Sequence, residues 1–306
     1  MALPDGRTLD LRPVTPADVD GLAALYADLT IDDLYRRFFS VYHPDRRFFE
    51  RVASAAERGG FGLVAIASGP GHGGDAPAER IVAEAGYELL PDGDGELAIA
   101  VADGWRGWLG PYLLDALIEA AGARGVPNLE ADVLVTNAAM LSLVRGRGYA
   151  TMANDDWATV RVVIGTAGRV PSWPGSHERP RILVEVPGAR WHAGVAGDAA
   201  GLQVLACPGP LGSRTRCPAL AGEPCPLAAG ADAIVVSHAT DDERWDALVA
   251  AHRRVHPGVP VCVELPRGAD AACGDASVPR VPAGSDAAVL AFVERLAAAP
   301  AAAEDG

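Results

Sequence analysis

The sequence predicts a two-domain α/β protein: a mixed sheet with helices, followed by a smaller parallel α/β domain. Three observations predict it. A length of 306 residues corresponds to about two domains. In the first half, an apolar run (Leu97 to Val101) enters an Arg/Gly loop, Trp105-Arg106-Gly107-Trp108-Leu109-Gly110, and then a helical pattern with Leu113, Leu114, Leu117 and Ile118 on one face. In the second half, short apolar runs alternate with helical patterns, as in a parallel sheet covered by helices on both faces.

The elements follow in order. Residues 7–14 read as a strand, after which Thr15 is placed as an N-cap with Pro16 at the first helical position. That helix runs through LAALYADL, and a second covers IDDLYRRFFSVY (31–42). Residues 61–68 (FGLVAIAS) are a buried strand, and 69–78 a Gly/Pro/His-containing loop. Residues 80–90 and 96–101 form a hairpin around PDGDG, a strong turn signal. Beyond the loop and helix quoted above come a strand at 130–135, a short helix at 138–145, and strands near Tyr149 and at 157–164.

Residues 166–180 are rich in Gly, Pro and Ser without periodicity, so the expected organisation is a first domain at 1–165, a linker at 166–180 and a second domain at 181–306. In the second domain strands are expected at 181–186, 203–206, 233–236, 260–265 and near Val281. Helices are expected over ERWDALVAAHRRVH and SDAAVLAFVERLAAA, in a small flavodoxin-like or receiver-like order. The Ala-rich, acidic tail after Leu296 is expected to fray.

Composition narrows the function. A net charge of −14 argues against a nucleic-acid or anionic-membrane surface, where basic side chains must displace phosphate counterions. All 26 basic residues are Arg, so the chain cannot be its own lysine-acylation target. Neither a secretory signal nor a run of about 18 apolar residues is visible, and five cysteines suit a reducing cytoplasm; a cytoplasmic location is expected.

Strand, glycine-bearing loop and helix N-terminus in succession make an anion site, because orphan backbone N–H groups and the helix dipole converge there. With this segment, LYRRFF (Leu34 to Phe39) and the stretch from Asn137 to Gly148-Tyr149, the chain resembles the GNAT N-acyltransferases, and specifically their protein-lysine-acetylating branch, over roughly residues 5–165. The resemblance implies a GNAT-like mixed sheet, acetyl-CoA as cofactor, and a primary-amine acceptor, either a protein lysine or a small amine. It implies that backbone groups of Ile99 and Val101 pair with the pantetheine arm. It further implies that Arg106, Gly107, Trp108, Gly110 and Pro111, together with Asn137, bracket the cofactor.

Glu96 is the candidate general base, with partial burial against Phe38, Phe39 or Tyr87 expected to raise its pKa. The plain alternative is a strand-entry carboxylate after the PDGDG turn. The loop departs from the family pattern, being one residue short or, ungapped, carrying Trp105 and Trp108 where the pattern has polar residues and glycine. Trp108 is bulky where backbone should approach phosphate, and Pro111 removes an N–H from the first helical turn. Val144 stands near where many relatives carry a Tyr acid, an absence shared by the lysine-acetylating branch. A catalytically silent binding or regulatory scaffold is the competing reading.

In the second domain, Cys207, Cys217 and Cys225 could join His192 or His238 in a Cys₃His zinc site. Their spacings are far longer than a metal knuckle's, so no metal is expected and partly buried thiols are the preferred reading, with a Cys217–Cys225 disulfide as a lesser alternative. The AIVV strand is followed by Ser237-His238 and the first strand by Val186-Pro187-Gly188, so the acidic residues of a phosphoreceiver are missing. Trp191-His192 could line a ligand crevice, though a packed Trp is preferred. The expected role is a regulatory or interaction domain, a partner-binding surface without phosphorylation.

Overall fold

The computed structural model describes residues 1–3, 6–69, 79–144, 147, 149–153, 158–168, 170–175, 180–185, 203–209, 216–237, 244–265, 277–282 and 291. The chain divides into two compact units, Met1–Leu143 and Val144–Gly306.

The first unit holds strands β1 (Thr8–Pro13), β2 (Phe61–Ser68), β3 (Glu79–Leu89), β4 (Gly95–Val101) and β5 (Asn128–Leu134), in that spatial order. Neighbours are antiparallel except β4 and β5, which run parallel. Its helices are α1 (Val19–Ala27), α2 (Ile31–Phe38), α3 (Arg46–Ala53) and α4 (Leu109–Ala123); α5 (Ala138–Val144) follows. Tyr26 of α1 reaches Glu84 on one face of the sheet. Arg124, just past α4, stacks on Phe61, opposite Tyr87 on the other face. The sheet is therefore covered on both sides, which explains why β2 is buried along nearly its whole length.

Local chemistry sets the helix ends. Thr15 and Asp18 form a reciprocal capping box, and Pro16 opens the short 3₁₀ turn (Pro16–Asp18) that leads into α1. Thr30 and Asp33 repeat the device at α2. α2 stops at Phe38, four residues before the expected end, because Phe39 takes a left-handed conformation (φ 54°) that closes the helix. The chain then re-enters a helix the sequence reading missed, α3, capped by Asp45 accepting from Phe48 N–H. On α4, Leu113, Leu114 and Leu117 are fully buried, each worth about 1.5–3 kcal/mol on burial. The β3–β4 hairpin closes through Leu90 N–H to Asp94 O at 2.8 Å, with Gly93 at positive φ.

The second unit contains β6 (Tyr149–Ala153), β7 (Thr159–Gly165), β8 (Arg181–Glu185), β9 (Gln203–Cys207), β10 (Ala233–Ser237), β11 (Val261–Leu265) and β12 (Arg280–Pro282). Two described helices join them, α6 (Pro226–Ala229) and α7 (Arg244–Val255). β6 pairs antiparallel with β7 and with β9, so strands from both sides of residues 166–180 share a sheet. From β9 onward the pairing is parallel, in the order β9-β8-β10-β11-β12. Numbered by chain position these five read 2-1-3-4-5, with Leu183, Leu205, Ile234, Val236 and Leu248 in one core. Residues 70–78 of the expected loop, the segment from Val186 to His192, His238 and, apart from residue 291, the helix at 285–299 with its tail lie outside the described residues. Among the described residues, no helix is long and apolar enough to cross a membrane.

Candidate active site

The site is built around β4. Ala102 N–H donates to Val82 O at 2.9 Å, which fixes the alternation of the antiparallel ladder. With Ile99 opposite Ala85 and Val101 opposite Ala83, the backbone N–H and C=O groups of Ile99 and Val101 turn away from β3. On that far side β5 pairs with β4 only at Gly95 and Glu96. The two parallel strands part beyond Glu96 and leave a wedge edged by main-chain polar groups.

The wedge leads into the loop before α4. A short 3₁₀ turn (Asp103–Trp105) precedes Arg106, whose guanidinium binds Asp33 at 2.6 Å and Asp103 at 3.3 Å, with its Nε 3.4 Å from Val101 O. Asp33 is held below the usual carboxylate range: burial opposes this, but the Thr30 hydroxyl and Arg106 prevail. Gly107 sits at φ 91°, a conformation that favours glycine. A Cβ at Gly110 would meet only Leu143 at 3.8 Å, so packing does not demand glycine there. Trp108 is the N-cap of α4, half-exposed, beside buried Trp105 on which the Arg7 guanidinium stacks. Pro111 is the third helical residue, so donors for an anion come from the amides around Trp108 to Gly110 and from Tyr112.

Glu96 lies at the narrow end of the wedge. It is exposed, so the expected partial burial against Phe38, Phe39 or Tyr87 does not occur. The reason is the strand's period of two: Tyr87 faces Leu97 across the ladder and points to the opposite side of the sheet. Glu96 instead stands between Glu88 of β3 and Glu130 of β5, a row of three carboxylates on adjacent strands. Arg51 and Arg58 pair with Glu88. The guanidiniums of Arg37 and Arg51 also feel the Glu96 charge. Asp94 is tied to β5 by the Asn128 backbone N–H and side-chain amide; burial raises its pKa.

Asn137 is brought to the same unit but in a different role at its oxygen. Its Oδ1 accepts from Met140 N–H at 3.2 Å, so it serves as the N-cap of α5. The sequence reading passed over the buried groups beneath Glu96. Tyr26 OH donates to Glu84 at 2.6 Å in the core, with the Arg37 guanidinium close by. A single Glu within the apolar stretch of β3 was the signal available for it.

Comparison with known proteins places these features beside acetyltransferases. No protein-family model matches the chain. Over 151 residues it is 30% identical to acetyltransferase Pat of Mycolicibacterium smegmatis, covering 49% of this chain and 44% of that protein. The chain thus spans less than half the length of the curated relative it matches. Among solved structures, the GNAT domain of S. lividans PAT is similar at 24% identity and a TM-score of 0.45, covering 54% of this chain and 94% of that one. A phosphinothricin acetyltransferase from Sinorhizobium meliloti, solved with AcCoA, is 16% identical at a TM-score of 0.40, covering 56% and 96%. About half of the chain is therefore similar in sequence to an acetyltransferase.

Proposed function

We propose that the first part of the chain is an acetyl-CoA-dependent N-acyltransferase of the GNAT type, acting on a primary amine, and that residues 1–165 form this module. The observation that carries the reading is the parted β4–β5 edge, which runs straight into a glycine-bearing loop and a helix N-terminus. An edge whose main-chain groups are not used by a neighbouring strand, with only Val101 O taken by Arg106, suits an amide-bearing arm, and the amides ahead of α4 suit a pyrophosphate. Ile99 and Val101 would hold the arm, and the amides from Gly107 to Gly110 the phosphates, with Arg106 and Asn137 at the margins. Acetyl-CoA supplies the acetyl thioester.

Glu96 takes the proton that the attacking ammonium must lose, directly or through water. As the amine nitrogen bonds to the carbonyl carbon, the carbon–sulfur bond breaks and the thiolate leaves to be protonated by solvent. The carboxylate row suits a cationic acceptor, protein lysine or small amine. Similarity to acetyltransferase Pat supports this class of acceptor. Residues 166–180 we assign as a linker that docks on the second unit through Trp173, buried in its core with Nε1 donating to Leu227 O, and 181–306 as a receiver-like regulatory or interaction domain, supported by the 2-1-3-4-5 strand order. We place the protein in the cytoplasm, in keeping with its odd cysteine count.

Calorimetric titration with acetyl-CoA tests the binding step, and saturable binding is expected. Glu96→Gln should then lower amine acetylation about 10²-fold or more while binding persists. An unchanged rate removes Glu96 from the mechanism. The second reading, a silent binding module, is favoured by the half-exposed Trp108 at the helix N-cap and by Pro111. Absence of saturable binding at millimolar acetyl-CoA would select it.

A further inference from the structure

The first turn of α4 carries two large aromatic side chains that the packing of the helix does not use. Leu109, Leu113, Leu114 and Leu117 fill its inward face and are fully buried. Trp108 and Tyr112, four residues apart, fall together on the opposite face at about 100° of rotation per residue. There they are 42% and 50% exposed, whereas Trp105 and Trp173 are buried. Leaving an indole half in water forgoes much of its hydrophobic stabilisation. Trp108 gains nothing at the helix end in return, since its side chain makes no capping hydrogen bond.

Trp108 is nevertheless held in place. Its ring centroid lies 6.0 Å from that of buried Trp105, at an interplanar angle of 49°. Trp105 is itself covered by the Arg7 guanidinium, 4.5 Å from the ring centroid. Gly107, at φ 91°, turns the chain just before Trp108, and Pro111 stiffens the turn just after it. Arg106, the neighbouring cation, is engaged by Asp33 and Asp103. The indole is therefore supported on one side and open to solvent on the other, at the residue where the amides ahead of α4 begin.

The order of groups in acetyl-CoA supplies the occupant: a thioester arm, then a pyrophosphate, then 3′-phosphoadenosine. With the arm along Ile99 and Val101 and the pyrophosphate at the amides from Gly107 to Gly110, the nucleoside leaves on the side that Leu109, Leu113 and Leu114 do not fill. That is the outward side, where Trp108 and Tyr112 stand. We propose that the adenine of acetyl-CoA stacks on the exposed face of Trp108, flanked by Tyr112. This rests on the acetyl-CoA reading of the first unit. A purine suits such a shelf because stacking uses its π-face and needs no hydrogen-bond partner. The proposal also reverses the sign of what Trp108 does. An obstacle to phosphate, once removed, lets the cofactor bind more tightly, whereas a stacking ring, once removed, lets it go.

The test is calorimetric titration of the full-length protein and of its Trp108→Ala and Trp108→Phe variants. The ligands are acetyl-CoA and acetyl-phosphopantetheine, which keeps the arm and one phosphate but lacks the adenosine. Trp108→Ala should weaken acetyl-CoA about 5–100-fold, the scale of one base stacked on one aromatic ring, and leave acetyl-phosphopantetheine unchanged. Trp108→Phe keeps a ring and should keep most of the affinity. Indole fluorescence gives a readout separate from turnover: acetyl-CoA should quench the natural protein, and the quench should be lost in Trp108→Phe. Both variants should melt with the natural protein, since Trp108 is half-exposed and makes no capping bond. Unchanged or tighter acetyl-CoA binding by Trp108→Ala overturns the proposal. Equal weakening of both ligands does so too, since it traces the loss to the loop backbone. A natural protein that binds neither ligand overturns the acetyl-CoA reading itself, a result that involves no variant.

Discussion

The buried Tyr26–Glu84 pair offers a direct measure of how the first unit holds its α1 face. Tyr26 contributes two separable things: a ring packed at 5.4–5.5 Å from Phe48 and Phe49, and a hydroxyl donating to Glu84 at 2.6 Å. Tyr26→Phe keeps the first and removes the second. Hydrogen bonds to charged groups contribute about 1.5–3 kcal/mol, and both partners are only 3% exposed, so water cannot replace the lost donor. The expected loss is therefore about 1.5–3 kcal/mol, or a fall in Tm of roughly 3–10 °C for a unit of this size.

The loss should depend on pH with a definite sign. Burial raises the Glu84 pKa, opposed by the Arg37 charge and the Tyr26 hydroxyl. The folded state therefore binds the Glu84 proton more tightly than the unfolded one, and stability falls as pH rises from the unfolded pKa through the folded one. Removing the hydroxyl raises the folded pKa further, so the variant's deficit should be small in acid and full once Glu84 is ionised. Tyr26 stays neutral throughout, since burial and the Glu84 charge push its own pKa well up. Urea denaturation of both proteins over a pH series rising from the ordinary carboxylate range, with Glu84→Gln completing a double-mutant cycle, measures this. A deficit under about 0.5 kcal/mol, or one equal at both ends of the range, refutes the reasoning.

Two further outcomes follow from other parts of the first unit. Gly110→Ala should leave stability unchanged or raise it by up to about 1 kcal/mol, since a Cβ meets only Leu143 at ordinary contact. The same change should weaken acetyl-CoA binding if phosphate approaches that backbone, and calorimetry beside thermal melting separates the two effects. Asp18 accepts from Arg12 twice and from Thr15 N–H and hydroxyl. Its pKa is lowered first by the Arg12 hydrogen bonds, so its contribution is present at neutral pH and lost as pH falls through its folded pKa. Asp18→Ala should cost about 1–3 kcal/mol at neutral pH and flatten the acid limb of the stability curve below about pH 4, read by denaturation at pH 7 and pH 3.

Much of the fold was legible because it is local chemistry. The apolar run in 61–68, the PDGDG turn and the apolar stripe of α4 each specify an element without help from the rest of the chain. The end of α2 was not legible in that way. IDDLYRRFFSVY has helical periodicity to Tyr42, and only a left-handed Phe39, stabilised by packing of Phe38 against Tyr26, Tyr42 and Phe48, breaks it. The same shortening hid α3, since a helix drawn to Tyr42 leaves only three residues before Arg46 and that stretch drew no reading. At the site, Glu96 and the glycine loop stood out by residue type and order. The exposure of Glu96 did not, since the neighbours of a strand residue depend on which strands pair and in what register.

By itself, then, the sequence determined the order of the strands and of every described helix of the first unit but α3, the glycine-bearing entry to α4 and the acidic, lysine-free composition. These depend on interactions within a few residues, so they survive being read in isolation. Tertiary structure alone decided that β4 and β5 part beyond Glu96, that Glu88, Glu96 and Glu130 stand in one row, and that Glu185 stands beside Cys207 with His252 of α7 bonded to it. Glu185 and Cys207 are far apart along the chain yet adjacent in the sheet, because parallel pairing aligns the carboxyl ends of such segments.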